Sequence, residues 1–330
     1  MRRRDLLIAL VGAVSAWPLV ARAQTVNGVP IVAYLGIASP GSDRPYVDGL
    51  RLGLGEVGHV LGETIELDDR YALGEVERFG GLLDEVLARG VRVIVVPGIA
   101  AALAVREQAP QIPVVAVGLP STVIYPDLFS SLHRPGGSVT GFSPFGEDLA
   151  AKRVELLRDA VPDLSAVAIL HNTVDPLYRS WGEKTQEAAR QQGLQTVRLG
   201  VRSRSKSELA TLMRSAHEAG TQGMIIVRDF LTHILQEDIA QAANAMGMAT
   251  MAEQHGFVEQ GGLMSYGANL PELFRRAATY VDEILNGASP ADMPIQLATE
   301  FELVINLRTA QALGLDLPRS ILLRADEVIE

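Results

Sequence analysis

The stretch HRPGGSVTGFSP, His133 to Pro144, lies near the middle of a chain of 330 residues and decides how the rest is read. Pro135, Gly136 and Gly137 break any helix and turn the backbone. Ser138 to Ser143 is a brief extended run, and an amphipathic segment, EDLAAKRVELLRDAVP, starts straight after it. Before it come IVAYLGI (31–37), TIELDDRYA (64–72), VRVIVVPG (91–98) and IPVVAVG (112–118), separated by segments with apolar residues three and four apart. After it come SAVAILHN (165–172), LQTVRLG (194–200), GMIIVRD (223–229), MATMA (248–252) and GGLMSYG (261–267), separated in the same way. Continuous apolar runs mean strands buried on both faces, as in parallel sheets, and strand–helix alternation means right-handed crossovers.

A short strand between two complete sets reads as a crossover between two lobes, too brief for a central core strand. GGLMSYG would bring the chain back, a helix over 271–286 would pack on the first lobe, and MPIQLATEFELVINL would cross a third time. The expected fold is α/β, with two Rossmann-like doubly wound lobes joined by three hinge crossings. Lobe 1 is residues 29–142 plus 268–292, and lobe 2 is residues 143–267 plus 293–330. A loose linker between independent domains would be polar, whereas Val139, Phe142, Leu263 and Met264 are apolar.

Ligands of open parallel sheets lie beyond the carboxyl ends of the strands. In the first lobe those ends carry Ser39, Pro40, Gly98, Ile99, Leu119, Pro120 and Ser121. In the second they carry Asn172 and Thr173, the run Arg228-Asp229-Phe230, and Glu253-Gln254-His255. The expected ligand contacts are the first-lobe residues with Asn172, Thr173, Tyr178, Asp229, Phe230 and Glu253. Tyr266, at the return crossing, serves cleft or hinge. Each has a plainer role beside it: Ser39, Asn172 and Asp229 suit helix caps or turns, Gly98 suits a turn, and Tyr178 and Phe230 suit a core.

Several function classes drop out. The chain has no cysteine, so a thiol nucleophile, a cysteine zinc site and a disulfide framework are excluded. No GxGxxG follows the first strand, and neither GxxxxGK[ST] nor GxSxG occurs. The histidines show neither HxH nor HExxH spacing, and most read as surface or turn residues. No catalytic residue, metal ligand or cofactor is expected.

MRRRD, the apolar run LLIALVGAVSAW and Ala21-Arg22-Ala23 form a cleavable secretory signal over residues 1–23, too short to span a bilayer. Arg3-Arg4 gives it a loose twin-arginine character. Its removal takes away four arginines and one aspartate and moves the net charge from −10 to −13. So acidic a surface excludes nucleic acid and anionic membrane as partners.

SLHRPGGSVTGFS, KRVELLRDAVP, FVEQGGLMSYG, FELVINLRTAQALGL and LLRADEVIE occur in this order. With the leader, they make the chain resemble the bacterial ABC-transporter substrate-binding proteins typified by tryptophan and tyrosine uptake systems. The resemblance spans nearly the whole chain. It implies a type I periplasmic binding fold, a small amino-acid-like, aromatic or carboxylate ligand in the cleft, an inner-membrane permease as partner, a monomer and a periplasmic location. Relatives often carry Asp-Pro where Leu119-Pro120 stands, which implies a ligand less cationic or more apolar here. A periplasmic sensing subunit shares the fold and cleft; an exported enzyme is the more distant alternative.

Overall fold

The computed structural model describes residues 28–120, 128–144 and 149–330. The chain opens with β1 (Ile31–Gly36), α1 (Pro40–Glu56), β2 (Glu66–Tyr71), α2 (Arg78–Ala88), β3 (Val93–Pro97), α3 (Ile99–Gln108), β4 (Val114–Val117) and β5 (Val139–Ser143). It continues with α4 (Leu149–Ala160), β6 (Ala166–Asn172), α5 (Pro176–Gln191), β7 (Gln195–Val201), α6 (Lys206–Glu218), β8 (Gly223–Ile226), α7 (Phe230–Ile234), α8 (Gln236–Ala245), β9 (Ala249–Ala252), α9 (His255–Glu259) and β10 (Met264–Gly267). It closes with α10 (Leu270–Leu285), β11 (Gln296–Leu297), β12 (Glu302–Asn306), α11 (Leu307–Ala312), α12 (Arg319–Leu322) and β13 (Glu327–Ile329).

These strands make two sheets. The first has the order β11-β5-β4-β3-β1-β2 and the second β13-β12-β10-β9-β8-β6-β7. All pairings are parallel except β10 with β12. Crossover helices cover both faces, so strands such as β1, β4 and β6 are buried along their whole length. Apolar cores lie on each face of each sheet.

β5 differs from expectation. It is no bare crossover but a fully buried strand of the first sheet, between β4 and β11. Brevity does not bar it from the core, since neighbouring β4 has only 4 residues. Gly141 makes the fit possible: its φ is +142°, and a Cβ there would stand 1.9 Å from the Ala116 carbonyl oxygen on β4. The passage to the second sheet follows β5. The return follows β10, and β11 keeps the chain with the first sheet to Leu297, five residues beyond the expected boundary at 292. The third passage is residues 298–301.

Helix α10 follows β10 in the chain yet packs on α1 of the first sheet. The two approach so closely that a Cβ on Gly53 would sit 2.0 Å from the Arg275 carbonyl oxygen. Phe274, Leu273 and Val281 fill the core between these helices and the sheet.

Candidate functional site

The carboxyl ends of the two sheets face each other, and the halves touch. Leu177 and Trp181 on α5, with Phe230 at the start of α7, pack against the first sheet's core. Arg204 Nη1 donates to the Leu73 carbonyl, 2.6 Å away. Deeper in, Asp43 and Tyr46 project from α1, one turn apart. Asp43, 1% exposed, meets the His233 imidazole of α7, with Oδ1 and Nε2 3.2 Å apart. The Tyr46 hydroxyl donates to Gln254 Oε1 at 3.2 Å. Its ring is stacked on Phe274 in its own half and on His233 across the cleft.

Gln254 ties these groups together. Its Oε1 also accepts from Arg228 Nε at 3.1 Å, and its Nε2 lies 3.2 Å from His233 Nδ1. With Oε1 accepting twice, the amide nitrogen donates to Nδ1. The imidazole proton then sits on Nε2 and points at Asp43. Asp43, His233, Gln254 and Arg228 form one chain from the first half to the end of β8.

Arg228 is a half-buried guanidinium with no carboxylate oxygen within 4.0 Å among the described residues. It reaches toward the first half, Nη1 lying 3.7 Å from where a Cβ on Gly118 would be. The nearby carboxylate, Glu253, accepts the Arg228 backbone N–H at 3.4 Å but ion-pairs with Arg153, also at 3.4 Å. Burial holds the Arg153 guanidinium below its ordinary value, with Glu253 and then Tyr266 acting the other way. Arg228 remains a cation at any physiological pH.

Beside this centre opens a cavity of about 570 Å³, lined from both halves. Ser39, Tyr46 and Asn269 contribute from the first, and His233, Gln236 and Gln254 from the second. Tyr46 and Gln254 belong to both cavity and centre, so their mutual hydrogen bond forms the wall between the two.

The expected residues separate into groups. Ser39 lines the cavity and caps α1, its Oγ accepting from the Ser42 N–H at 3.3 Å. Pro40 is the exposed first residue of that helix. Gly98, φ +90°, precedes α3, while Ile99, Leu119 and Pro120 are buried behind the cleft wall. Ser121 lies outside the described residues. Asp229 makes a capping box with Thr232 at α7, and Asn172 donates to it. Burial holds the Asp229 carboxyl above its ordinary value, against the hydrogen bonds from Thr232 and Asn172. Thr173 bonds back to Val201. Tyr178 is buried and meets Trp181 edge to face. Phe230 bridges the cores of the two halves. Tyr266 packs beside Phe301, and its carbonyl accepts from Arg153 Nε at 2.7 Å.

Asp43, Tyr46 and His233 were missed, and Arg228 and Gln254 were read only as strand-end neighbours. Asp43 and Tyr46 stand on a helix, outside any strand-end search. His233 and His171 are the exceptions to the expectation that most histidines lie at the surface or in turns, at 7% and 2% exposed. His233 is buried by the opposite half, which no local pattern announces.

A family model described as ABC transporter substrate binding protein matches residues 31–329. The chain belongs to that family. Its members are substrate-binding proteins: they take up a small molecule and deliver it to an ABC permease. A protein of Clostridioides difficile (strain R20291) called tyrosine-binding protein is 22% identical over 277 residues, 83% of this chain and 79% of its own. The solved structure of an ABC domain in complex with L-Trp from Streptococcus pneumoniae matches with a TM-score of 0.82. It is 23% identical and covers 91% of this chain and 100% of its own. The ligand-free, open structure of a substrate binding protein with adhesive properties from Clostridium difficile matches with a TM-score of 0.67 at 21% identity, covering 91% and 99%. These likenesses establish the fold as the two-sheet type I periplasmic binding architecture. No group of three or more metal-ligating side chains is found among the described residues.

Proposed function

We propose that this substrate-binding protein works in the periplasm as a monomer, closing its two halves on a small organic carboxylate and presenting it to the permease. Arg228 carries the reading. It is a cation inside the cleft, held in place by Gln254 and left without an ion partner among the described residues. A ligand carboxylate is the group that completes it, in paired hydrogen bonds. The tyrosine and L-Trp of the related proteins are themselves carboxylates, which supports this class.

Ser39, Tyr46 and Gln254 are the polar contacts we assign beside Arg228. Gly98, Ile99, Leu119 and Pro120 form the backing wall. Glu253, Asn172 and Asp229 hold the second wall in shape from behind. The moving bodies are residues 29–143 with 268–297, and 149–267 with 302–330. Residues 1–23 are the export leader, so the mature chain starts at Gln24, a start that N-terminal sequencing of periplasmic material reads directly.

The test is calorimetric titration and thermal shift over a panel of amino acids, aromatic acids and aliphatic acids. Carboxylates raise the melting temperature as their concentration passes the dissociation constant. Arg228→Gln weakens them about 30-fold or more, the usual consequence of removing one side of a buried charge pair. Unchanged carboxylate affinity in Arg228→Gln would refute the assignment.

A further inference from the structure

The cavity beside Arg228 carries information about the rest of the ligand. Gln236, at the start of α8, lines it and is 9% exposed. Its Oε1 is shielded from solvent and has no hydrogen-bond partner, and its Nε2 donates to nothing among the described residues. A buried amide left unpaired costs about 1–3 kcal/mol, so a group that pairs with it gains binding strength. Gly256 lies beside it: a Cβ there would stand 3.9 Å from Oε1, in ordinary contact. Ser39 and Ser42 line the same cavity at the start of α1, their hydroxyls 3.0 Å apart.

Other chemistries fit worse. Stacking an aromatic ligand on a large ring needs a free face, and Tyr46 is the one Phe, Tyr or Trp on the lining among the described residues. Its ring already has Phe274 at 5.0 Å and His233 at 5.8 Å, both near parallel. A second carboxylate would meet Glu237 and Glu259 on the lining, both exposed, with Lys206 near the first and His255 beside the second. What remains is an uncharged group rich in donors and acceptors.

We infer that the ligand is a polyhydroxylated monocarboxylic acid. Its carboxylate sits on Arg228 and its hydroxyl-bearing chain lies in the 570 Å³ cavity against Gln236 and Ser42, displacing the Tyr46–Gln254 hydrogen bond that separates the two spaces. This rests on the assignment of Arg228 as the carboxylate partner and goes beyond it by naming the tail.

Calorimetric titration of the mature chain tests it with D-gluconate, D-glucuronate and quinate. Hexanoate supplies the carboxylate and chain without hydroxyls, and L-tryptophan supplies an aromatic tail. At least one hydroxy acid binds about tenfold or more tighter than hexanoate and L-tryptophan, the discrimination expected of a site built to hydrogen-bond. Gln236→Leu removes most of that advantage while hexanoate binds no more weakly, and a circular dichroism melt shows that the variant is folded. If no hydroxy acid binds, or if hexanoate or L-tryptophan binds tightest, the inference is overturned. Arg228→Gln separates the two layers: loss of every acid together supports the anchor, whereas hydroxy acids that bind undiminished to Arg228→Gln but fail with Gln236→Leu sink the anchor and keep the tail site.

Discussion

Replacing Arg153 by methionine should be the most damaging single change in the second half of the molecule. Arg153 comes from α4 and Glu253 from the end of β9, and their side chains are 8% and 10% exposed. Arg153 Nε also holds the carbonyl of Tyr266 on β10, the strand from which the chain returns to the first sheet. Removing one partner of a buried ion pair leaves the other charge stranded, at a cost of about 3–5 kcal/mol. Removing both for groups of similar size is often near neutral. Melting temperatures of domains this large move about 2–4 °C per kcal/mol, so Arg153→Met should melt roughly 6–20 °C lower. Arg153→Met with Glu253→Gln should recover most of the loss. Circular dichroism melts, with urea titration as a second probe, measure both. If Arg153→Met melts within about 2 °C of the parent, or the double variant does no better than the single, the pair is not what holds this wall. Glu253 would then return as a ligand group.

Two further outcomes follow from other clusters. Asp68 on β2 is buried, which raises its carboxyl, but hydrogen bonds from Arg70 and Arg89 outweigh burial and leave it below the ordinary value. The ionised form is therefore favoured on folding. That contribution is present above the unfolded value of about 3.9 and is lost as pH falls through the lower folded one, so Asp68→Asn should show a shallower loss of stability below about pH 4. An acid titration of the two proteins side by side decides it, identical slopes counting against the cluster. His233→Phe takes the imidazole N–H from Asp43 only when the halves are closed, a loss of about 1–3 kcal/mol that moves the equilibrium toward the open form. Once residues 1–23 are removed Trp181 is the sole tryptophan, and it packs on the first sheet's core. Its emission should shift to the red in His233→Phe, and an unmoved spectrum would count against the latch.

The architecture was legible because it is written in local terms. Buried parallel strands are continuous apolar runs, and the helices between them carry their stops, such as Gly90 and Gly193. Where reading failed, the cause was contact at a distance. β5 looked like a bare crossover because its burial comes from β4 and β11, the latter more than 150 residues further along. Ser39 and Asp229 read equally as cap or contact; the structure makes both caps and places Ser39 also on the cavity. His233 and Asp43, 190 residues apart, carry no mutual signal in the chain.

The same contacts explain how capture and closure can be one event. Gln254 Oε1 accepts at once from Tyr46 of the first half and Arg228 of the second. A carboxylate arriving at Arg228 competes with that oxygen for the guanidinium and frees the amide to turn toward the ligand. The donor it loses on Tyr46 is available to the ligand too. The hydrogen bonds of Gln254 that join the halves therefore lie at the site itself. A ligand shifts the equilibrium only by what it binds better in the closed form than in the open one. On the proposed assignment that difference is built from Tyr46 and Ser39, which would reach a ligand on Arg228 only when the first half has swung in. A solute that touched Arg228 alone would bind both forms alike and would not close the protein.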